Sequence, residues 1–292
     1  MKAVFHLGAN GTDLGAMANS LSANQSMLAR HGVEFVPHDR CDEIFQRAQL
    51  ALKGGRATPE MEQMILDAIL DMDAPERIVF SHQNLLGLPN RMLSANGLYY
   101  AADERISALQ NLLPGCEAEF AIALMNPASL VDYARKRQPQ ISYDQMMHAV
   151  DPTALRWPDA IKRILRAAHG KRLIVWCHED TPLIWTEVMR SMTRIPDEVH
   201  FANQLEIAAT LLPPDALREA RLQIRRTGTG ITVAQRRAIV EAALVAHGRA
   251  DQMEADLDLP GWTQDLVDQI TRQYYADVAD IAALPGVEFI AA

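Results

Sequence analysis

The stretch AVFHLGANGTD, residues 3–13, carries the strongest signal for the fold. Its first five residues form a short apolar run that stops at Gly8, which predicts a buried strand and not a helix. A helical pattern with one apolar face follows at Leu14, Met17, Leu21 and Leu28. Thr12 or Asp13 is the predicted cap of that helix. A strand, a glycine loop and a helix in this order open many α/β domains that bind phosphate groups.

Short apolar runs and helical patterns alternate along the rest of the chain. The other predicted strands are residues 33–36, 77–80, 118–124, 173–177 and 287–290. Helix starts are predicted at Thr58-Pro59, at a capping box beginning with Thr232, and after Trp262-Thr263, and the C-terminal third is helical. The alternation is typical of parallel strands covered by helices. We therefore expect an α/β fold, a central and mostly parallel sheet flanked by helices, in one domain over residues 1–292.

The helix that begins at Pro59 has an apolar stripe, which we expect in the core. Its members are Met61, Met64, Ile65, Ala68, Ile69 and Met72. The run Arg135, Lys136 and Arg137 comes at the end of another helical pattern, where it forms either a solvated face or a compensating cation cluster.

Composition and charge limit the classes of partner. The 292 residues are 49% hydrophobic and 22% charged, and the net charge of −9 argues against nucleic acid as a partner. The three cysteines form no C-x-x-C pair, which fits a reducing cytoplasm. No apolar stretch approaches the roughly 20 residues of a membrane span, and the N-terminal run is too short for a signal peptide. We expect a cytoplasmic protein that does not enter membranes.

Polar clusters follow the predicted strands directly. They are SHQN at 81–84, MNP at 125–127 and HED at 178–180. In open α/β sheets the ligand lies beyond the carboxyl ends of the strands, so these clusters are expected to converge. The glycine loop at 8–15 lacks the terminal Lys-Ser/Thr of nucleotide triphosphatases and the G-x-G-x-x-G of dinucleotide sites. Nucleotide hydrolysis and nicotinamide or flavin chemistry therefore have no support.

The strands and the polar clusters that follow them, taken in chain order, resemble those of the sulfotransferase family, in particular its bacterial branch related to carbohydrate sulfotransferases. The similar stretches are FHLGA at 5–9, SHQN at 81–84, LMNP at 124–127, residues 173–180 and YYADV at 274–278. The resemblance implies a P-loop-like fold. It also implies transfer of a sulfuryl group from 3′-phosphoadenosine 5′-phosphosulfate to a hydroxylated acceptor, either a saccharide or another small molecule. That nucleotide is the one donor implied, and no tightly bound cofactor is expected.

The resemblance assigns the site to numbered positions. The implied donor-binding residues are His6, Gly8, Ala9, Asn10, Gly11, Thr12, Asn126 and Tyr133. The candidate catalytic residues are His82 and Gln83, with His82 as the base because imidazole titrates near neutral pH. No metal site is expected, because His178, Glu179 and Asp180 are adjacent and point to alternate sides of an extended segment. They are expected to cap or anchor the following helix.

Several positions depart from the family pattern. Gly11 or Asn10 stands where the family carries a cation, and Met125 replaces the arginine of the 3′-phosphate site. Tyr133 stands in place of a serine, and Gln83 in place of the catalytic glutamate. Asp13 adds a carboxylate at the helix start, and no Lys or Arg lies between Lys2 and Arg30. Because a charge-assisted hydrogen bond contributes about 1.5–3 kcal/mol, losing two cations costs the donor several orders of magnitude in affinity.

Three functional classes follow. The first is an active transferase with a donor site rebuilt from His82 and the run 135–137. The second is an inactive homologue that binds a saccharide, a nucleotide or a protein partner. The third is a structural protein that keeps the scaffold alone.

Overall fold

A computed structural model describes residues 1–228, 230–253 and 257–292. Within these ranges the core is a six-stranded sheet in the order β2-β3-β1-β4-β5-β6, and every neighbouring pair is parallel. The strands are β1 Lys2–His6, β2 Val33–Val36, β3 Arg77–Ser81, β4 Glu117–Leu124, β5 Leu173–Cys177 and β6 Val287–Ile290. The predicted α/β fold with a parallel sheet is confirmed, and each predicted strand lies within one residue of its observed bounds.

Helices cover both sides of this sheet. In chain order they are α1 Ala16–Ala23, α2 Gln25–Arg30, α3 His38–Leu52, α4 Pro59–Ile69, α5 Ala102–Leu112, α6 Pro127–Arg137, α7 Tyr143–Met146, α8 Trp157–Ala167, α9 Thr181–Thr193, α10 Glu206–Leu211, α11 Pro214–Thr227, α12 Val233–His247, α13 Ala250–Met253 and α14 Gln264–Ala282. Short 3₁₀ helices span Pro89–Arg91 and Pro152–Ala154. No helix of the described ranges is both long enough and apolar enough to span a bilayer.

The sheet separates two apolar layers. One contains side chains of α3, α4, α5, α6, α8 and α14, and the other contains side chains of α1, α2 and α9. Right-handed crossovers account for α1 and α2 on one side and for α3, α4, α5, α6 and α8 on the other, because the chain moves toward β2 after β1 and in the opposite direction after β2. The crossover from β5 to β6 contains helices on both sides, with α9 beside α1 and α2 and with α14 on the other side. A third, smaller apolar cluster joins α10, α11 and α12.

The helix after β1 differs from its prediction at both ends. It begins at Ala16, and the Thr12 hydroxyl donates to the carbonyl oxygen of Ala9 (2.7 Å), so Thr12 is not its cap. The helix ends at Ala23, with Asn24 as its C-cap, whereas the predicted pattern continued to Leu28. The Asn24 amide donates to the carbonyl oxygen of Ser20 (2.7 Å), which a continuing helix would have used for its backbone ladder.

The other predicted helix starts are confirmed, but part of the predicted apolar stripe of α4 lies outside the core. The side chains of Thr58, Thr232 and Thr263 each cap a helix, at α4, α12 and α14. Met64 is 66% exposed and Ala68 is also exposed, so their assignment to the core is wrong, and Met72 lies beyond the end of the helix. The buried face of α4 is formed by Ile65 and Ile69, and Met64 lies on the outer side.

A buried ionic network joins the strands at the amino end of the sheet. Glu119 of β4 accepts hydrogen bonds from Arg77 (2.8 Å) and Arg172 (2.9 Å), and Arg172 also donates to Glu288 (2.6 Å). Although burial opposes it, hydrogen bonding to the two guanidinium groups holds the pKa of Glu119 at about 2. The charges of this network are therefore satisfied within the protein, and in a parallel sheet of this kind the ligand site is expected at the carboxyl ends of the strands.

Candidate functional site

The carboxyl end of β1 carries a buried histidine. The two atoms His6 Nδ1 and Ser81 Oγ lie 2.8 Å apart, and the His6 ring stacks on Trp176 with 5.7 Å between centroids. The rings meet across β4 because the residues between them, Ala121 and Ala123, have small side chains. Burial lowers the pKa of His6, so this imidazole is neutral at pH 7.

The loop after β1 is fixed from the inside. Gly8 has φ +58°, and a Cβ there would lie 2.5 Å from the Cα of Gln83, so the two loops are in backbone contact. The buried Asn10 donates its backbone N–H to the Tyr99 hydroxyl (2.9 Å) and its amide to the carbonyl oxygen of Gln83 (3.0 Å). The Tyr99 hydroxyl donates in turn to Asn10 Oδ1 (3.1 Å). The backbone N–H and the side-chain amide of Asn10 are thus hydrogen-bonded within the protein.

An aromatic ring covers the middle of the loop. Gly11 has φ +89°, and a Cβ built on it would lie 2.9 Å from the ring of Tyr133 on α6. Arg137, one turn further along α6, donates its Nε–H to the Tyr133 hydroxyl (3.2 Å). The Tyr133 side chain therefore occupies the space in front of the loop.

A carboxylate binds the start of α1. Asp13 Oδ2 accepts the backbone N–H of Met17 (3.0 Å), and the carbonyl oxygen of Asp13 accepts the N–H of Ala16 (2.8 Å). The first N–H groups of a helix have no partner within the helix and attract anions. Here the anion that binds one of them belongs to the chain itself.

The two candidate catalytic residues lie beside this loop. His82 stacks on His38 with 3.3 Å between centroids, and its Nδ1 accepts the N–H of Asn84 (3.2 Å). Burial, with the neighbouring His38, lowers the pKa of His82 to about 4. Gln83 Oε1 is buried without a hydrogen-bond partner among the described residues.

The ends of β4 and β5 form a second group of contacts. Asn126 caps α6, and its backbone N–H donates to Glu179 Oε1 (2.9 Å). Glu179 Oε2 accepts the hydroxyl of Tyr274 (2.8 Å), so this carboxylate joins α6 to α14. Glu179 therefore connects two other helices, and these bonds do not reach the following helix, α9, which it was expected to cap or anchor. Asp180 lies at the start of α9 but makes no capping bond with its side chain, and burial beside Glu179 raises its pKa.

The charge of Asp13 acts on histidines at the ends of three strands. The Asp13 carboxylate raises the pKa values of His6, His82 and His178, although burial dominates and the pKa of each histidine is lowered. The clusters at 81–84, 125–127 and 178–180 follow β3, β4 and β5, whose carboxyl ends lie at one edge of the parallel sheet. Direct contacts join Gly8 to Gln83 and Asn126 to Glu179, so the polar clusters lie along the same edge, as expected.

The remaining predicted residues are placed as follows. Ala9 and Thr12 are buried in the loop and bond to each other, and Asn126 lies at the neighbouring strand end. In the basic run, Arg135 binds the carbonyl oxygen of Asp258 and Lys136 pairs with Asp132 (2.6 Å). Both also line a cavity of about 660 Å³ near the end of α6. No group of three or more metal-ligating side chains occurs among the described residues.

Two residues of the site were not found from the sequence. Tyr99 lies in a segment, 85–101, that has no diagnostic pattern. Trp176 is part of an apolar strand, where an aromatic residue is expected in the core in any case. A signal for Trp176 is available in the alternation of side chains, because it and Ile174 share the face of the sheet on which His6 lies.

Comparison with solved structures shows a likeness in the fold. A sulfotransferase from Alicyclobacillus acidocaldarius aligns over 87% of this chain and 99% of its own, with 12% sequence identity and a TM-score of 0.42. No protein-family model matches the sequence, and no curated protein matches it. At this TM-score the likeness does not bear on function, and the parallel α/β sheet is established by the strand pairing itself.

Proposed function

We propose that this chain is a sulfotransferase-like protein that binds a small ligand at the carboxyl ends of its strands but does not transfer a sulfuryl group. The observation that carries this proposal is the bond from Met17 N–H to the Asp13 carboxylate (3.0 Å). A bound sulfate or phosphate would need the same helix start, and the fixed negative charge of Asp13 repels it.

Two further contacts support the loss of the donor. The Tyr133 ring lies where a phosphate would approach Gly11, and Asn10 bonds to Tyr99 and Gln83 instead of facing outward. The cations of the nearest basic run all have partners within the protein. Arg135 binds the carbonyl oxygen of Asp258, Lys136 pairs with Asp132, and Arg137 donates to the hydroxyl of Tyr133, the residue whose ring covers Gly11. 3′-Phosphoadenosine 5′-phosphosulfate therefore does not fit this loop as it is arranged.

The competing reading is sulfuryl transfer with His82 as the base. His82 is poorly suited to that role because its pKa is about 4, far below the neutral range in which a general base is efficient. Its Nδ1 already accepts a backbone N–H, so in the neutral ring Nε2 carries the proton. Gln83 cannot replace it, because an amide does not accept a proton near neutral pH.

Calorimetric titration with 3′-phosphoadenosine 5′-phosphate, the product form of the donor, tests the proposal. We expect no binding by the wild-type chain at millimolar ligand. The double variant Asp13→Asn with Tyr133→Ala removes the charge and the ring, and we expect it to bind measurably and more weakly at higher salt. Asp73→Asn, an exposed carboxylate far along the chain, serves as the charge-matched control. Micromolar, salt-sensitive binding by the wild-type chain would overturn the proposal.

A further inference from the structure

A polar cavity lies at the other edge of the sheet, near the amino ends of β4 and β5. Its volume is about 410 Å³, which is within the range of about 300–1,000 Å³ that is usual for small-molecule sites. Its lining includes Ala118 at the start of β4 and Lys171 just before β5. The cavity is therefore separate from the candidate site at the carboxyl ends of the strands.

Hydrogen bonds of α5 fix two sides of this cavity. The side-chain amide of Asn111 donates to the carbonyl oxygen of Gly54 (3.1 Å), and the carbonyl oxygen of Asn111 accepts the N–H of Ala57 (2.8 Å). The side-chain amide of Gln110 donates to the carbonyl oxygen of Ala167 (2.7 Å). Successive residues of a helix point about 100° apart, so α5 has the loop before α4 on one side and the end of α8 on the other. Both Gln110 and Asn111 line the cavity.

Each of these two sides carries a cation. Arg56 belongs to the loop before α4, and its guanidinium lies 3.5 Å from the carbonyl oxygen of Pro114. Lys171 follows α8, and a hydrogen bond from the N–H of Phe120 to the carbonyl oxygen of Arg172 (3.0 Å) holds this segment beside β4. Arg56 and Lys171 both line the cavity, so two positive charges border one space from different sides.

The charged groups of the lining have one sign. Among the described residues, neither Arg56 nor Lys171 forms an ion pair. His169 is the third basic residue of the lining, and none of the described lining residues is acidic. The chain as a whole has a net charge of −9, so this cavity differs in sign from the rest of the protein. A cavity with two unpaired cations favours an anion.

Two carboxylates lie near the cavity, and both have partners elsewhere. Glu62 accepts the N–H of Gly115 with both oxygens (2.9 Å each) and the thiol of Cys116 (3.6 Å). Burial and Glu62 raise the pKa of Cys116 to about 12, so this lining thiol is neutral. Glu117 pairs with Lys2 (3.5 Å), and as the next residue of an extended segment it points away from the side on which Cys116 lies.

The separation of the two cations selects the kind of anion. A guanidinium binds a carboxylate through two parallel N–H bonds, and an ammonium group supplies three donors. The hydroxyl of Ser107 and the amides of α5 add neutral polar groups to the lining. A small anion with a single charged group leaves one of the cations without a partner, whereas a linear molecule with a carboxylate at each end can reach both.

From this arrangement we infer that the cavity binds a small linear dicarboxylate, with one carboxylate at Arg56 and the other at Lys171. The inference does not depend on the proposed function, because the cavity and the loop at residues 8–13 lie at opposite ends of the strands.

Three probes with four carbons but different charges test the inference. They are succinate with two carboxylates, butyrate with one and butane-1,4-diol with none. Calorimetric titration of the full chain at low salt measures their binding. We expect succinate to bind saturably with roughly millimolar affinity, butyrate to bind about tenfold more weakly, and the diol not to bind. Inorganic phosphate, which carries its charge on one group, should bind no more tightly than butyrate.

Charge-removing variants locate the binding. Arg56→Gln and Lys171→Gln should each weaken succinate about tenfold, because each removes one charge-assisted contact. Both positions are exposed, so neither change disturbs the core. Lys53→Gln is the matched control, because Lys53 is an exposed cation at the end of α3 that does not line the cavity. It should change the affinity for succinate by less than about twofold, since salt screens distant surface charges.

Three results would overturn the inference. They are an equal loss of affinity in Lys53→Gln, butyrate or phosphate binding as tightly as succinate, and no saturable binding of succinate well above the millimolar range. The nucleotide titration that tests the proposed function is repeated with the double variant Arg56→Gln with Lys171→Gln. Binding of a phosphate group in this cavity is then not counted as binding at the loop, so the two proposals are judged separately.

Discussion

Replacing Gly11 by alanine tests the contact that closes the loop. The variant introduces two penalties. The backbone at φ +89° disfavours a side chain, at about 1–2 kcal/mol. The new methyl group would also lie 2.9 Å from the Tyr133 ring, and overpacking of this kind costs about 1–3 kcal/mol.

Gly15 provides a matched control in the same segment. Its φ of +92° is nearly that of Gly11, but no atom lies within 4 Å of a Cβ built there. Gly15→Ala therefore carries the backbone penalty without the steric one. The difference between the two variants, about 1–3 kcal/mol in the free energy of unfolding, reports the Tyr133 contact alone.

Urea unfolding measures this difference. With a slope of about 3 kcal/mol per molar urea, a difference of about 2 kcal/mol separates the midpoints of the two variants by about 0.7 M. In a Tyr133→Ala background the extra cost of Gly11→Ala should disappear, because the ring is gone. If Gly11→Ala is no more destabilising than Gly15→Ala, the ring does not cover the loop and the explanation for donor exclusion is wrong.

Three other outcomes are expected. Lowering the pH from 7 to 5 should reduce the free energy of unfolding, measured by urea midpoints, by at least about 1 kcal/mol. The pKa of His82 is about 4 in the folded chain and 6.5 for the free group, so the unfolded chain binds more protons in this pH range and stability falls with the pH. Asp277→Asn should lower the free energy of unfolding by about 3 kcal/mol in the same assay, because this buried carboxylate pairs with Arg156. Asp280→Asn, at an exposed position of the same helix, should change it by less than about 0.5 kcal/mol. A disulfide reagent at pH 8 should label the three thiols slowly in the folded chain and fully in denaturant, because burial raises the pKa of each cysteine to about 12.

The strands were predictable because each is a continuous apolar run bounded by turn residues. Residues 33–36, 173–177 and 287–290 match the observed strands at both ends. In a parallel sheet covered on both sides, nearly every strand residue is apolar, so the pattern is strong even in a short segment. The three threonine caps were predictable for a similarly local reason, because a cap needs only the side chain and the next three residues.

The contacts that define the site depend on residues far apart in sequence. Tyr133 covers Gly11, and Tyr99 holds Asn10, and neither pair is marked by a local pattern. The break at Asn24 also depends on a distant partner, because the Asn24 side chain binds both to its own helix and to the backbone of Ala202. The absence of cations between Lys2 and Arg30 and the carboxylate of Asp13 at the helix start were both visible in the sequence, because each depends on neighbouring residues alone.

The ionic network around Glu119 has a mechanical consequence. Glu119 of β4 binds Lys2 of β1, Arg77 of β3 and Arg172, the residue before β5. Arg172 also binds Glu288 of β6, so the network connects these strands at the amino end of the sheet. The register of the strands is therefore fixed at the amino end of the sheet, away from the loops that follow the strands. At the opposite end the loop contacts, such as those of Asn10 with Tyr99 and Gln83, can therefore change when a ligand binds without moving the strands relative to one another. Amide hydrogen exchange should accordingly be slow in β1 and β4 with or without a guest, and change on binding only in the loops that follow the strands.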